Sequence, residues 1–179
     1  VCLIFDIVIP SYGRCELLGR TLRSVVEQAS RDGLHVIWVV ENGPRAGAER
    51  VCGDFHHSLP VRYLYREEPG AADARNAGLL ASEADFILFI DNDIKLCDGT
   101  LVAYGAAFSK YGDRAFFGGP LTPEYDVPPP DWLCEFLPPS AKGFSLGDEE
   151  VVVDAPVFLG GNIALPRERL VAIDRKTTR

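Results

Sequence analysis

The chain of 179 residues is 47% apolar and 25% charged. That suits one domain with an ordinary core, and no run approaches the roughly 18 apolar residues that a membrane span needs. Its formal charge of −8 argues against nucleic acid or an anionic lipid surface as a partner held through its phosphates, although local arginines can still receive a small phosphorylated ligand.

Taken in chain order, "LIFDIVIP", "HVIWVV", "VRYLY" and "FILFI" are short apolar runs rich in branched residues, each closed by polar or turn-forming residues. They read as strands. Between the first two lies "RCELLGRTLRSVVEQAS", where Leu18, Leu22, Val25, Val26 and Ala29 fall on one face of a helix. A weaker helical segment, "GAERVCGDF", follows the second strand, and "GAADARNAGLLAS" follows the third. The order β-α-β-α-β-α-β implies an α/β fold: a Rossmann-like, mainly parallel sheet with helices on both faces. Ligands of such sheets bind beyond the carboxyl ends of the strands. The residues expected there are "PSYGR", "ENGP", "REEPG" and "DNDIKL".

Beyond residue 97 a helix is expected in "GTLVAYGAAFSKYG", then the apolar run "AFFGG". The proline-dense stretch from Pro120 to Pro139 precludes a long helix and suits an ordered surface excursion. "VVVDAPVFLGGNIAL" offers two short strands around a Gly-Gly-Asn turn, a small C-terminal antiparallel portion. Pro166 suits the first position of a closing helix, "PRERLVAI", and Arg175 to Arg179 are expected to fray.

Five cysteines, at 2, 15, 52, 97 and 134, form no Cys-x-x-Cys pair. Neither a disulfide framework nor a zinc site is signalled, and a reducing, cytoplasmic setting is expected. No signal-peptide pattern is present. The start at Val1 and the absence of methionine suggest a fragment or a processed chain.

The chemistry concentrates at "FILFIDNDIKL". If strand geometry persists, Asp91 and Asp93 project to the same side, and a hard cation such as Mg²⁺ or Mn²⁺ would offset their repulsion. An Asx-type turn pointing the acids into water is the alternative. An apolar strand before Asp-x-Asp also opens haloacid-dehalogenase-like phosphotransferases, with Asp91 then the nucleophile. Against that reading, Lys95 stands at a position where those enzymes carry Thr or Val, and three β-α units come first. No glycine-rich phosphate loop follows the first strand, and His35, His56 and His57 show no ligand spacing.

In order, "IVIPSYGRCELLGRTLRSVVEQ", "VVENGP", "GAADARNAGLL", "FILFIDNDIKL" and "FLGGNIALPRERL" resemble family 2 glycosyltransferases of GT-A fold. The resemblance implies one domain over residues 1–179, with a nucleotide-sugar-binding half (1–97) and a partial acceptor half (98–179). It implies a nucleotide-diphospho-sugar donor, UDP-sugar foremost, bound with Mg²⁺ or Mn²⁺ and attacked by an acceptor hydroxyl with inversion. Acceptors would be glycans, lipid-linked glycans or small molecules, met in the cytoplasm or peripherally at the inner membrane face. Pro10, Ser11, Tyr12 and Arg14 match the loop at the nucleotide end. Glu41 stands where the family has an Asp that receives a hydrogen bond from the base, with Asn42 beside it. Arg75 of "ARN" matches an arginine that approaches the diphosphate, a pairing suited to the planar guanidinium. Asp93 corresponds to the direct metal ligand, with Asp91 and Asn92 nearer the ribose or a bound water. Gly161 and Asn162 match a loop near the transferred sugar and acceptor, and Trp132 is a candidate to stack on an acceptor sugar. The family's acidic general base lies in a run past the closing helix. No residue here matches it, so the base is expected beyond Arg179. A non-catalytic nucleotide-sugar-binding fragment is the remaining alternative.

Overall fold

A computed structural model describes residues 3–154 and 160–177. Strands β1 (Phe5–Ser11), β2 (Leu34–Asn42), β3 (Val61–Arg66) and β4 (Phe86–Ile90) alternate with helices α1 (Cys15–Val26), α2 (Ala48–Phe55) and α3 (Ala71–Ala81). Helix α4 (Thr100–Tyr111), a short strand β5 (Phe117–Gly118) and two single-turn helices, α5 (Asp131–Cys134) and α6 (Pro139–Lys142), come next. Strand β6 (Asn162–Pro166) and helix α7 (Arg167–Thr177) close the described chain. The six strands lie side by side as β3-β2-β1-β4-β6-β5. Strands β1 to β4 are mutually parallel, and β6 runs antiparallel to both β4 and β5. This is the expected mainly parallel sheet with a small antiparallel portion.

Side-chain alternation divides the core into two layers. Phe5, Ile7, Ile9, Ile37, Val39, Leu88 and Ile90 face α1, α2 and α4, whereas Val8, Trp38, Val40, Ile87 and Phe89 face α3 and α7. Leu18, Leu22 and Val25 of α1 are fully buried, each burial stabilising by about 1.5–3 kcal/mol. Gly78 lets α3 approach β1 closely, since a Cβ there would lie 2.5 Å from Val8 Cγ1. At the amino end of the sheet Asp6 is fully buried. Its carboxylate accepts from Val36 N and Trp38 Nε1 and pairs with His35 Nδ1, which satisfies a charge that would otherwise be costly to bury.

Several boundaries differ from the sequence reading. Helix α1 ends at Val26, because Gln28 turns inward, where its amide bonds Cys97 O and receives Leu101 N. Pro166 ends β6, paired with Phe86, and does not open the last helix. That helix runs on to Thr177, past the expected end at residue 173 and into the segment expected to fray. Of the two strands expected around Gly160–Gly161, only the second forms among the described residues. Residues 151–154 are irregular, and 155–159 lie outside the described residues. No described helix is long and apolar enough to cross a membrane.

Candidate active site

The carboxyl ends of β1, β2 and β4 meet at one rim. On β4, Ile87 and Phe89 face α3, and Asp91 continues that alternation one residue past the strand. There its Oδ1 meets Arg75 Nη2 of α3 at 2.6 Å. The strand stops at Ile90, and a turn closed by Ile94 N donating to Asp91 O follows it. The alternation therefore ends before Asp93, so strand geometry does not set the two acids side by side. Asp93 instead pairs with Arg14 across the rim at 3.3 Å. Asn92, between them, donates to Ser11 Oγ and Gly13 O, which ties the β4 turn to the loop after β1. Arg14 has φ 50°, the left-handed region, uncommon for a residue with a side chain.

Gly161 supports the turn from β6. Asp91 N donates to Gly161 O, and a Cβ on Gly161 would stand 2.9 Å from Asp91 Oδ2. The close approach gives this glycine a reason that a hairpin turn alone would not. Asn162 is buried; its Oδ1 accepts from Tyr104 Oη at 2.7 Å and its Nδ2 donates to Pro120 O. Its amide thus fastens the start of the proline-dense excursion to the sheet. Desolvation pushes the Tyr104 phenol well above its ordinary value, so it remains a proton donor to Asn162. Trp132 stands on α5 within that excursion, with its ring mostly in solvent.

At the end of β2, alternation sends Glu41 towards α2 and Asn42 towards α3. Glu41, expected to face a base, is buried. Its Oε1 accepts from Ala46 N and Ala48 N, and its Oε2 accepts from Tyr63 Oη at 2.6 Å. Burial raises the pKa of this carboxyl, but bonds from Tyr63, Ala46, Ala48 and Gly47 outweigh it and leave the value lowered. Asn42 is also buried, donating to Ser11 O and accepting from Gly70 N. Pro10 and Ser11 are buried in β1, whereas Tyr12 is exposed. The Tyr12 ring packs over Gly43 and is 2.7 Å from where a Cβ would sit, at a residue whose φ of 88° already favours glycine. Tyr63, Tyr65 and Tyr104 were not legible as site supports. Tyrosines two residues apart on one strand, VRYLYR, were the one available signal for the first two.

The structure therefore brings Ser11, Arg14, Arg75, Asp91, Asn92, Asp93 and Gly161 together, sets Tyr12 and Asn42 beside them, turns Glu41 away towards α2, and leaves Trp132 on the excursion. Asp91 and Asp93 each keep one carboxylate oxygen without a hydrogen bond among the described residues. No group of three His, Cys, Asp or Glu side chains able to hold a metal occurs among the described residues. Two hard oxygen donors fit a cation of the Mg²⁺ type, which commonly completes its sphere with waters and ligand phosphates. Arg75 Nε is buried without a partner, a donor left over beside the place where such phosphates would lie.

The sequence profile of the family described as Glycosyl transferase family 2 matches residues 6–119. Among curated proteins, an uncharacterized glycosyltransferase of Haemophilus influenzae is 34% identical over 91 residues, half of this chain and 29% of that protein. Validoxylamine A glucosyltransferase of Streptomyces hygroscopicus is 28% identical over 93 residues, 51% of this chain and 22% of that one. Among solved structures, S. aureus TarS in complex with UDP-GlcNAc has TM-score 0.71 and 17% identity, covering 96% of this chain and 48% of that one. Mannosyltransferase PcManGT from Pyrobaculum calidifontis, in complex with GDP-Man and Mn²⁺, has TM-score 0.63 and 18% identity, with coverages of 94% and 46%. The chain thus spans less than a third of these curated relatives and about half of these structures.

Proposed function

The chain belongs to glycosyl transferase family 2, and we propose that its rim binds a nucleoside-diphospho-sugar, UDP-sugar foremost, for metal-assisted transfer to an acceptor hydroxyl with inversion. The observation that carries this reading is the alternation of charge at the rim. Arg14 and Arg75 each pair with one acid of the turn, so two cationic groups suited to a diphosphate stand beside two carboxylates suited to a divalent cation.

In this reading Asp93 and Asp91 would hold Mg²⁺ or Mn²⁺, which when bound supplies Lewis-acid stabilisation of the leaving diphosphate. The chain's own residues do the rest. Arg75 turns its guanidinium from Asp91 to the phosphate oxygens, and Arg14 does the same from Asp93. Asn92 keeps the β4 turn against Ser11, which fixes the acids relative to the loop that receives the nucleoside. Tyr12 offers the base an exposed ring face, and Gly161 leaves room for Asp91. Asn162 anchors the excursion on which Trp132 stands, placing that segment on the acceptor side. Solved relatives of this fold have been captured with UDP-GlcNAc and with GDP-Man and Mn²⁺, which supports a nucleotide-sugar ligand. The ion pair on Asp91 Oδ1 and the family match give no support to the phosphotransferase reading.

Calorimetry with UDP, GDP and dTDP, each with and without Mn²⁺, tests the proposal. Metal-dependent binding of at least one nucleotide is expected. Binding of none, or affinities indifferent to the metal, would overturn it.

A further inference from the structure

Resting on the donor-site reading above, we infer that Glu41 positions the nucleobase site without touching the base, so that the site distinguishes uracil poorly from cytosine. Glu41 is 1% exposed, and both of its oxygens are engaged inside the chain, by Ala46 N, Ala48 N and Tyr63 Oη. One lone pair is left on Oε2, but a ligand donor would have to reach it on a buried side chain that points from β2 towards α2, away from the rim.

The neighbouring polar groups are committed as well. Asn42 is held by Ser11 O and Gly70 N. Gly43 N donates to Arg66 O, and Gly43 O accepts from Tyr65 Oη. Arg45 lies over the Tyr65 ring at 3.9 Å. What Glu41 does, then, is fold the loop from Gly43 to Gly47 back onto α2, and that loop carries the Gly43 backbone on which Tyr12 rests.

The chemistry of discrimination follows. Uracil presents N3–H, which needs an acceptor, whereas cytosine presents a bare N3, which needs a donor. A protein rejects one strongly only where a buried polar group would be left unpaired by the wrong ligand. Here the acceptor at this position is paired, buried and turned from the rim, and the exposed Tyr12 ring stacks on either base, an interaction tolerant of base identity.

Calorimetry with UDP and CDP in the presence of Mn²⁺, on the wild type, Glu41→Gln and Glu41→Ala, well below each variant's Tm, tests the inference. The wild type is expected to bind the two within about threefold of each other, and Glu41→Ala to weaken both equally, by about tenfold for a lost charge-assisted hydrogen bond. Glu41→Gln, which keeps an acceptor for the two amides, should recover most of that loss. Amide exchange at Ala46 and Ala48 in the ligand-free protein should be slow in the wild type and fast in Glu41→Ala. A strong preference for UDP that disappears in Glu41→Ala would show the carboxylate reading the base and overturn the inference alone. So would a strong preference that survives, or Glu41→Ala binding as tightly as the wild type. Binding of neither nucleotide by the wild type would overturn the donor-site reading and this inference with it.

Discussion

Arg75 Nη2 lies 2.6 Å from Asp91 Oδ1, so the end of β4 is held to α3 by one charge-assisted hydrogen bond between partly exposed groups. In the proposed donor site the same guanidinium would receive the diphosphate, so its loss should cost binding more than folding. Arg75→Ala is expected to lower affinity for UDP with Mn²⁺ by about 10–100-fold, the equivalent of one or two such bonds. Arg75→Lys should restore only part, since an ammonium lacks the planar fork. Titration calorimetry measures both, and an Arg75→Ala affinity equal to wild type would remove Arg75 from the site.

The pair between Arg14 and Asp93 makes a separate prediction about the cation. An exposed ion pair of this kind contributes about 0.2–1 kcal/mol. Relieving it should therefore raise the affinity for Mn²⁺ alone by about 1.4- to fivefold in Arg14→Ala, while lowering affinity for the metal–nucleotide pair. Asp93→Ala should abolish the difference between nucleotide titrations with and without Mn²⁺. Electron paramagnetic resonance of free Mn²⁺ reads the first effect. An unchanged metal dependence in Asp93→Ala would refute the assignment of that residue.

Two glycines separate packing from site geometry. A Cβ on Gly78 would meet the fully buried Val8 at 2.5 Å, and overpacking of this kind costs about 1–3 kcal/mol, or about 3–10 °C in Tm for a chain of this size. A Cβ on the buried Gly161 would meet Asp91 Oδ2 at 2.9 Å, on a side chain that is itself partly exposed and can shift at the rim. Gly78→Ala should lose thermal stability and keep nucleotide affinity in the folded protein, whereas Gly161→Ala should weaken nucleotide binding with little change in Tm. The reverse pattern in a thermal-shift and binding comparison would mean that Gly161 serves the core and not the acid turn.

The parts of the fold that depend on apolar pattern were legible. The runs ending at Pro10, Val40 and Ile90 became interior parallel strands because a strand buried on both faces is mostly apolar, and the more polar run ending at Tyr65 became the edge strand β3. The parts that depend on which polar group meets which were not. Asp6 sits inside a strand with no local sign that Trp38 and Val36, from a neighbouring strand, complete its hydrogen bonds. Likewise Glu41 shares its tetrapeptide with a rim loop, and only the pairing of β2 with β3 reveals Tyr63 as its partner. The motif placed Arg75 and Asp91 at one site, but the early end of β4 decided that each acid would have its own arginine.

The Glu41 cluster carries a pH signature. Its folded pKa lies below the ordinary 4.5, because hydrogen bonds to the carboxylate outweigh burial. The adjacent Tyr63 phenol is pushed well above its ordinary value by desolvation, by its hydrogen bond to Glu41 and by the Glu41 charge, so it stays a donor throughout the neutral range. A group whose pKa is depressed on folding stabilises the native state above its unfolded pKa, and loses that contribution as pH falls through the folded value. The stability difference between wild type and Glu41→Gln should therefore be constant from about pH 6 to 8 and shrink as pH drops below about 4.5, where the wild-type carboxyl binds a proton and the glutamine has none to bind. Urea unfolding at pH 7, 5, 4 and 3 measures it. A difference that holds its full size down to pH 3 would mean that the carboxylate charge adds nothing to the loop it caps.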